Sequence, residues 1–99
     1  MTLLELLDAV KDENLGKDKL EKYSADLTHV HTKMCYELAD IEKKEAKYLA
    51  IKPEGVSHVS HKWMWKATDE GQRQIELENW LKAVVKEISS IKSRLYSIY

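Results

Sequence analysis

The residues best equipped for chemistry in this 99-residue chain lie between Lys43 and Lys66. Lys62-Trp63-Met64-Trp65-Lys66 interleaves two indoles with two ammonium groups. Sites for single-stranded nucleic acid combine these groups, because a flat aromatic face accepts a base while a nearby cation neutralises a phosphate. The same composition also suits a plainer arrangement, in which one Trp packs into the hairpin or an oligomer interface and the lysines are simply solvated. Lys43, Lys44, Lys47 and Lys52 add four cations upstream. On a helix, Lys43, Lys44 and Lys47 form an exposed face, with Asp40 at i,i+3 and i,i+4 to support Lys43 and Lys44, so they too have a reading without a ligand.

The charge distribution sharpens this segment. The whole chain carries a formal net charge of -1, which excludes the uniformly basic character of a simple histone-like protein. Residues 1–42 hold five Lys against ten acidic residues, whereas residues 43–66 hold six Lys against only Glu45 and Glu54. Residues 67–99 balance five of each sign. A polyanion site must therefore be local to 43–66, where His58 and His61 can add charge in mild acid.

Metal and catalytic chemistry find little support. His31 and Cys35 are four residues apart with His29 nearby, and His58 and His61 are three apart. Such pairs share a helix face and can reach one ion, but a site needs further ligands, which a symmetric neighbour would have to supply. The single Cys35 excludes an intrachain disulfide framework and fits a reducing compartment. There is no phosphate-cradling Gly-rich loop, nucleophile elbow or pair of carboxylates on a strand scaffold. The expectation is a protein that is not an enzyme, with no catalytic residues, cofactor or metal.

Three Gly and one Pro leave few places for helices to stop, and the elements that must position the basic segment follow from that. Thr2 and Glu5 form a capping-box signature ahead of Leu3, Leu6, Leu7 and Val10, predicting a short helix over about 2–14. Asp18 with Glu21 repeats the signature. Leu20, Tyr23, Leu27, Val30, Met34, Leu38, Ile41 and Tyr48 then recur at helical steps apart from a gap at Glu45, predicting a helix over about 18–51, on the order of 50 Å long. Pro53 and Gly55 place a basic turn region over 52–67, with the conformation of 56–67 left open. Leu77, Leu81, Val84, Ile88, Ile91, Leu95 and Ile98 alternate four- and three-residue steps, the seam of a coiled-coil helix over about 68–98; either Thr68-Asp69-Glu70 caps its start, or residues 60–67 are already helical with Gly71 a weak point. Together these predict a single all-α domain over 1–99: a short N-terminal helix plus an antiparallel hairpin of two long helices. The seam residues are expected to join copies into a homo-oligomer, because elongated helices in a small chain leave apolar surface uncovered. No window is apolar enough for a membrane span and the N-terminus lacks a signal-peptide pattern, so the expectation is a cytoplasmic protein without a membrane partner.

Two stretches resemble the UvsY-like phage recombination mediator family. Asp18-Lys19-Leu20, Ser24 and Val30-His31-Thr32-Lys33 are similar to the N-terminal part of that family. Ile91-Lys92-Ser93-Arg94-Leu95-Tyr96-Ser97-Ile98 is similar to its C-terminal helix, and Thr68-Asp69-Glu70 ahead of a helix with a central aromatic, Trp80, matches its layout. The family's basic Lys-x-Arg segment has no literal counterpart, and Lys47 and Lys52 occupy the corresponding region. The resemblance implies a helical ring that binds single-stranded DNA and helps load a strand-exchange recombinase onto DNA coated by a single-strand-binding protein, in the host cytoplasm if the chain is phage-encoded.

The expected function is thus a non-catalytic single-stranded DNA binding protein, with Lys43, Lys44, Lys47, Lys52, Lys62, Trp63, Trp65 and Lys66 as the nucleic-acid contacts. The alternative is a small phage-type coiled-coil interaction protein, an inhibitor or assembly factor that captures a protein helix and ignores nucleic acid. In that case the Trp residues would be interface anchors.

Overall fold

The computed structural model describes residues 1–98, with the side chain of Ile98 outside the described part. The chain forms four helices, α1 (Leu3–Ala9), α2 (Lys17–Ala50), α3 (His58–Lys66) and α4 (Asp69–Ile98). There is no strand among the described residues. They form a rod measuring 60 × 23 × 18 Å, and no described helix is long and apolar enough to cross a membrane.

Local chemistry explains where the helices begin. The Thr2 hydroxyl accepts from the Glu5 N–H at 3.2 Å and donates to the Glu5 carboxylate at 3.1 Å, a variant of the expected capping box in which both contacts use the hydroxyl. α1 ends at Ala9, five residues short of the expected boundary, and its last turn tightens as Lys11 N–H donates to Asp8 O at 3.2 Å. The apolar pattern ends at Val10, and the Asp12 carboxylate then accepts from Asn14 N–H at 2.9 Å, offering the backbone a turn instead of a helix. The N-cap of α2 is Gly16, with no side-chain cap. The expected Asp18–Glu21 box does not form; Asp18 sits in the first turn, where a carboxylate complements the helix dipole.

The two long helices run antiparallel. Glu37 faces Arg73, Lys44 faces Glu70, and Glu45 reaches Gln74, so positions ascend on α4 as they broadly descend on α2. Leu20, Tyr23, Leu27, Met34 and Ile41 of α2 share a core with Leu77, Val84 and Ile91 of α4. Leu6, Leu7 and Val10 close the open end of this hairpin. Arg94 pins that closure from α4 by donating to Val10 O at 2.7 Å and also to Asp12 O, satisfying carbonyls beyond the end of α1.

The residues expected to line an oligomer seam are taken up within the chain. Leu77, Val84 and Ile91 are enclosed, and Leu81, Ile88 and Leu95 are half-buried against the same core; the Ile98 side chain lies outside the described residues. Within the chain it is the apolar stripe of α2 that covers them.

The basic turn region expected over 52–67 is only partly a turn. Pro53 and Gly55 reverse the chain, with Gly55 at φ 82° and Val56 N–H donating to Pro53 O at 3.3 Å. Ser57 then caps α3, its hydroxyl accepting from Ser60 N–H at 3.1 Å. Thr68 joins α3 to α4 by donating to Trp65 O at 2.6 Å and accepting from Gly71 N–H at 3.0 Å. Gly71 is no weak point but the place where the helices touch: a Cβ there would stand 2.0 Å from Trp65 O. Replacing Gly71 by Ala should cost about 1–3 kcal/mol, as overpacking against immobile backbone does, read as a lower urea midpoint; unchanged stability would mean that α3 does not press on α4 this closely.

Arg73 binds both Glu37 carboxylate oxygens, at 2.6 and 3.1 Å, and Glu76 at 2.5 Å. The hydrogen bond from Arg73 holds the Glu37 carboxyl below its ordinary value of 4.5. A depressed carboxyl stabilises the fold above its unfolded pKa and loses that contribution as pH falls through the folded pKa. Because both partners are half-exposed, the pair is worth less than about 1 kcal/mol. Glu37→Gln should be slightly less stable than the native protein near neutrality, and the two should converge in acid below the usual carboxylate range. A difference that persists in acid would assign the effect to something other than this ion pair.

Candidate nucleic-acid interface

α3 is nine residues long and has two faces of opposite use. His61 and Trp65, one helical turn apart, point inward and are 1% and 3% exposed. Both meet Tyr48 at the end of α2: His61 stacks at 4.6 Å between ring centroids and Trp65 lies tilted at 5.4 Å. Trp65 Nε1 donates to Gln74 Oε1 at 2.7 Å, and Gln74 Nε2 donates to Glu45 Oε1 at 3.2 Å. This relay ties α3, α4 and α2 together and satisfies the indole N–H, which burial would otherwise penalise. His61 Nδ1 is enclosed without a hydrogen-bond partner among the described residues.

The opposite face carries Val59, Lys62, Trp63 and Lys66, whose i, i+3, i+4 and i+7 spacing aligns them. Trp63 is 65% exposed, as is Val59. Lys66 Nζ stands 4.7 Å from the centre of the Trp63 ring, close enough for a cation–π attraction that holds the ammonium beside the indole. An exposed indole with a cation at its face is the unit that stacks a base and meets the adjoining phosphate.

The eight expected nucleic-acid contacts therefore divide. Lys62, Trp63 and Lys66 come together on the outward face of α3, while Lys43 and Lys47 are exposed on α2 and Lys52 is exposed in the turn. None of Lys43, Lys47, Lys52 or Lys62 has an ion-pair partner among the described residues. Lys44 differs, since its ammonium lies 3.7 Å from both Asp40 and Glu70 and is locally neutralised. Trp65 is withdrawn from the set, because its ring is enclosed and its N–H is spent on Gln74. The expectation that both indoles of the pentapeptide contact DNA is corrected accordingly; adjacent helix positions point about 100° apart, and two steps put Trp63 and Trp65 on nearly opposite sides.

Sequence reasoning missed the apolar rim of this end. Ile51, Val59 and Met64 are exposed, and the signal available was the pairing of Val59 with Trp63 at four-residue spacing. Elsewhere, Cys35 Sγ lies 3.7 Å from His31 Nδ1, while His58 is exposed and His61 buried, so that second pair does not converge. Among the described residues no group of three or more His, Cys, Asp or Glu side chains is placed to hold a metal ion.

No family model matches the chain, and no curated protein and no solved structure matches it either.

The two faces of α3 make a prediction for single-tryptophan variants. With Trp65 and Trp80 replaced by Phe, the remaining Trp63 should be quenched by acrylamide almost as a free indole is. With Trp63 and Trp80 replaced, Trp65 should be shielded and blue-shifted. Equal quenching of the two would contradict the inward seating of Trp65.

Proposed function

We propose that the chain is a non-catalytic protein that binds single-stranded DNA through the basic end of its hairpin. The observation that carries this reading is the exposed Trp63 ring with Lys66 Nζ at 4.7 Å, on a helix face that also presents Lys62. Lys43, Lys47 and Lys52 supply further cations without carboxylate partners, so phosphates need displace only solvent and counterions. The resemblance to UvsY-like recombination mediators supports a more specific version, in which copies form a homo-oligomeric ring in the cytoplasm that gathers several such ends and helps a recombinase replace a single-strand-binding protein on DNA. Multiplying a weak patch by the subunit number turns modest attraction into strong, salt-dependent binding.

A second reading is favoured by the apolar rim. Ile51, Val59 and Met64 add nothing to phosphate binding, and they suit a coiled-coil interaction protein whose Trp63 anchors a partner helix.

A fluorescent poly-dT oligonucleotide titrated across salt, with molar mass from light scattering on the same sample, separates the two. The first reading expects binding that weakens steeply with salt and quenches Trp63. Changing Lys43, Lys47, Lys52 and Lys62 to Ala should flatten the log–log salt slope by about 3, at roughly 0.7 per lost phosphate contact. Replacing Trp63 by Ala should cost about 1–3 kcal/mol, the worth of one stacked base. Absence of binding at low salt would leave the protein-partner reading in place.

A further inference from the structure

We propose that the outward face of α2 carries a second contact track for the same single strand, with Tyr36 as its stacking platform and Lys33, Lys43 and Lys47 as its phosphate partners. The inference rests on the nucleic-acid reading above and extends the site away from α3 toward the middle of the rod.

At 100° per residue, Lys33, Tyr36, Lys43 and Lys47 fall within an arc of about 80°. Tyr36, Lys43 and Lys47 lie roughly opposite the stripe of Leu27, Met34 and Ile41 that packs against α4, and Lys33 lies on the flank between them. The four residues span about 20 Å of helix, so a strand following them runs lengthwise along α2. Tyr36 is 75% exposed and has no hydrogen bond or ring contact among the described residues. A ring left that open contributes nothing to the hairpin core, yet offers an amphipathic surface on which a base can stack. Lys33, Lys43 and Lys47 likewise have no carboxylate partner among the described residues.

Acidic neighbours border the track. Asp40 lies inside the same arc, and the Lys44 Nζ 3.7 Å from it is shared with Glu70, so its charge is only partly offset; Glu37, about 40° outside the arc, is held by Arg73 at 2.6 Å. Toward the N-terminus the face meets Asp26, where the positive track ends. His29 is exposed on the same face, one turn before Lys33.

The test uses the full chain with Tyr36→Ala, Tyr36→Phe and Trp63→Ala, each titrated with fluorescent poly-dT across salt and weighed by light scattering. Tyr36→Ala should bind about tenfold more weakly, within the range for one stacked base, with its salt slope unchanged because the ring touches no phosphate. Tyr36→Phe should bind as the native protein does, and because the side chain is exposed, helicity and molar mass should be unchanged in both variants. If Tyr36→Ala binds normally while Trp63→Ala is weakened, the α2 track is overturned and the α3 site stands. Loss of affinity in Tyr36→Phe equal to that in Tyr36→Ala would overturn stacking, and a changed molar mass would assign Tyr36 to an interface between copies instead. If the native protein fails to bind at low salt, the track and the reading beneath it fall together.

Discussion

Leu20, Leu27, Leu77, Val84 and Ile91 are enclosed between α2 and α4, and a rod only 18–23 Å across offers no second layer in which to put apolar side chains. Closure of that seam fixes the rotation of both long helices. Once α2 is turned so that Leu27, Met34 and Ile41 face α4, its opposite face is committed to solvent along its whole length. The position of every lysine and aromatic on that face follows from the requirement that a continuous apolar stripe be buried. The same closure sets which charges are used internally. Lys44 and Arg73 flank the seam, where Asp40, Glu70, Glu37 and Glu76 can reach them. Lys43 and Lys47 lie on the far side and are left unpaired.

At the turn end, the controlling contact is smaller. α3 sits against α4 because Gly71 has no side chain to keep Trp65 O away, and against α2 because Tyr48 offers a flat surface to both His61 and Trp65. These contacts fix the phase of α3, and the phase decides which indole is structural. The relay from Trp65 through Gln74 to Glu45 gives the enclosed indole its hydrogen bond, so the inward seating of Trp65 leaves its own N–H satisfied. Trp63 is then exposed as a geometric consequence of the burial of Trp65.

The parts of this fold that were legible in the amino-acid sequence are those governed by long periodic runs. The stripe from Leu20 to Tyr48 and the heptads from Leu77 to Leu95 predict two long helices within two residues of the observed boundaries, since each added turn repeats the same constraint. α3 is not legible in the sequence because its inward pair includes His61, which breaks the apolar periodicity, and because Pro53 and Gly55 just upstream signal turn. α1 was drawn too long because its apolar pattern sets no stop after Val10, whereas the Asp12 turn and the Arg94 contacts with Val10 O and Asp12 O are set locally or by a residue more than eighty positions away. The basic segment itself was visible in the charge counts, but choosing Trp63 over Trp65, or discounting Lys44, required the rotation of α3 and the reach of Glu70. Nothing in the spacing singles out Tyr36, whose 75% exposure is set by the rotation of α2.

The net charge of -1 does not describe what a polyanion meets. The acidic residues of α1 and the start of α2 lie at the opposite end of a rod 60 Å long, whereas the Debye length at physiological ionic strength is about 8 Å. Charges so far apart do not cancel at either end. An anion approaching α3 therefore meets Lys47, Lys52, Lys62 and Lys66, with Glu45 and Glu54 within the segment and Asp69 and Glu70 just beyond it; of these, Glu45 accepts from Gln74 and Glu70 lies 3.7 Å from Lys44. At the other end the carboxylates of residues 1–26 lie beside Lys86, Lys92 and Arg94 of α4, with Arg94 tied to Val10 O and Asp12 O, so that end is nearly balanced and the excess of cations is confined to the turn end. A compact arrangement of the same residues would bring the carboxylates of α1 and the start of α2 within screening distance of the turn-end lysines and weaken their field, so the rod shape imposed by the α2–α4 seam matters to the electrostatics as well as to the core.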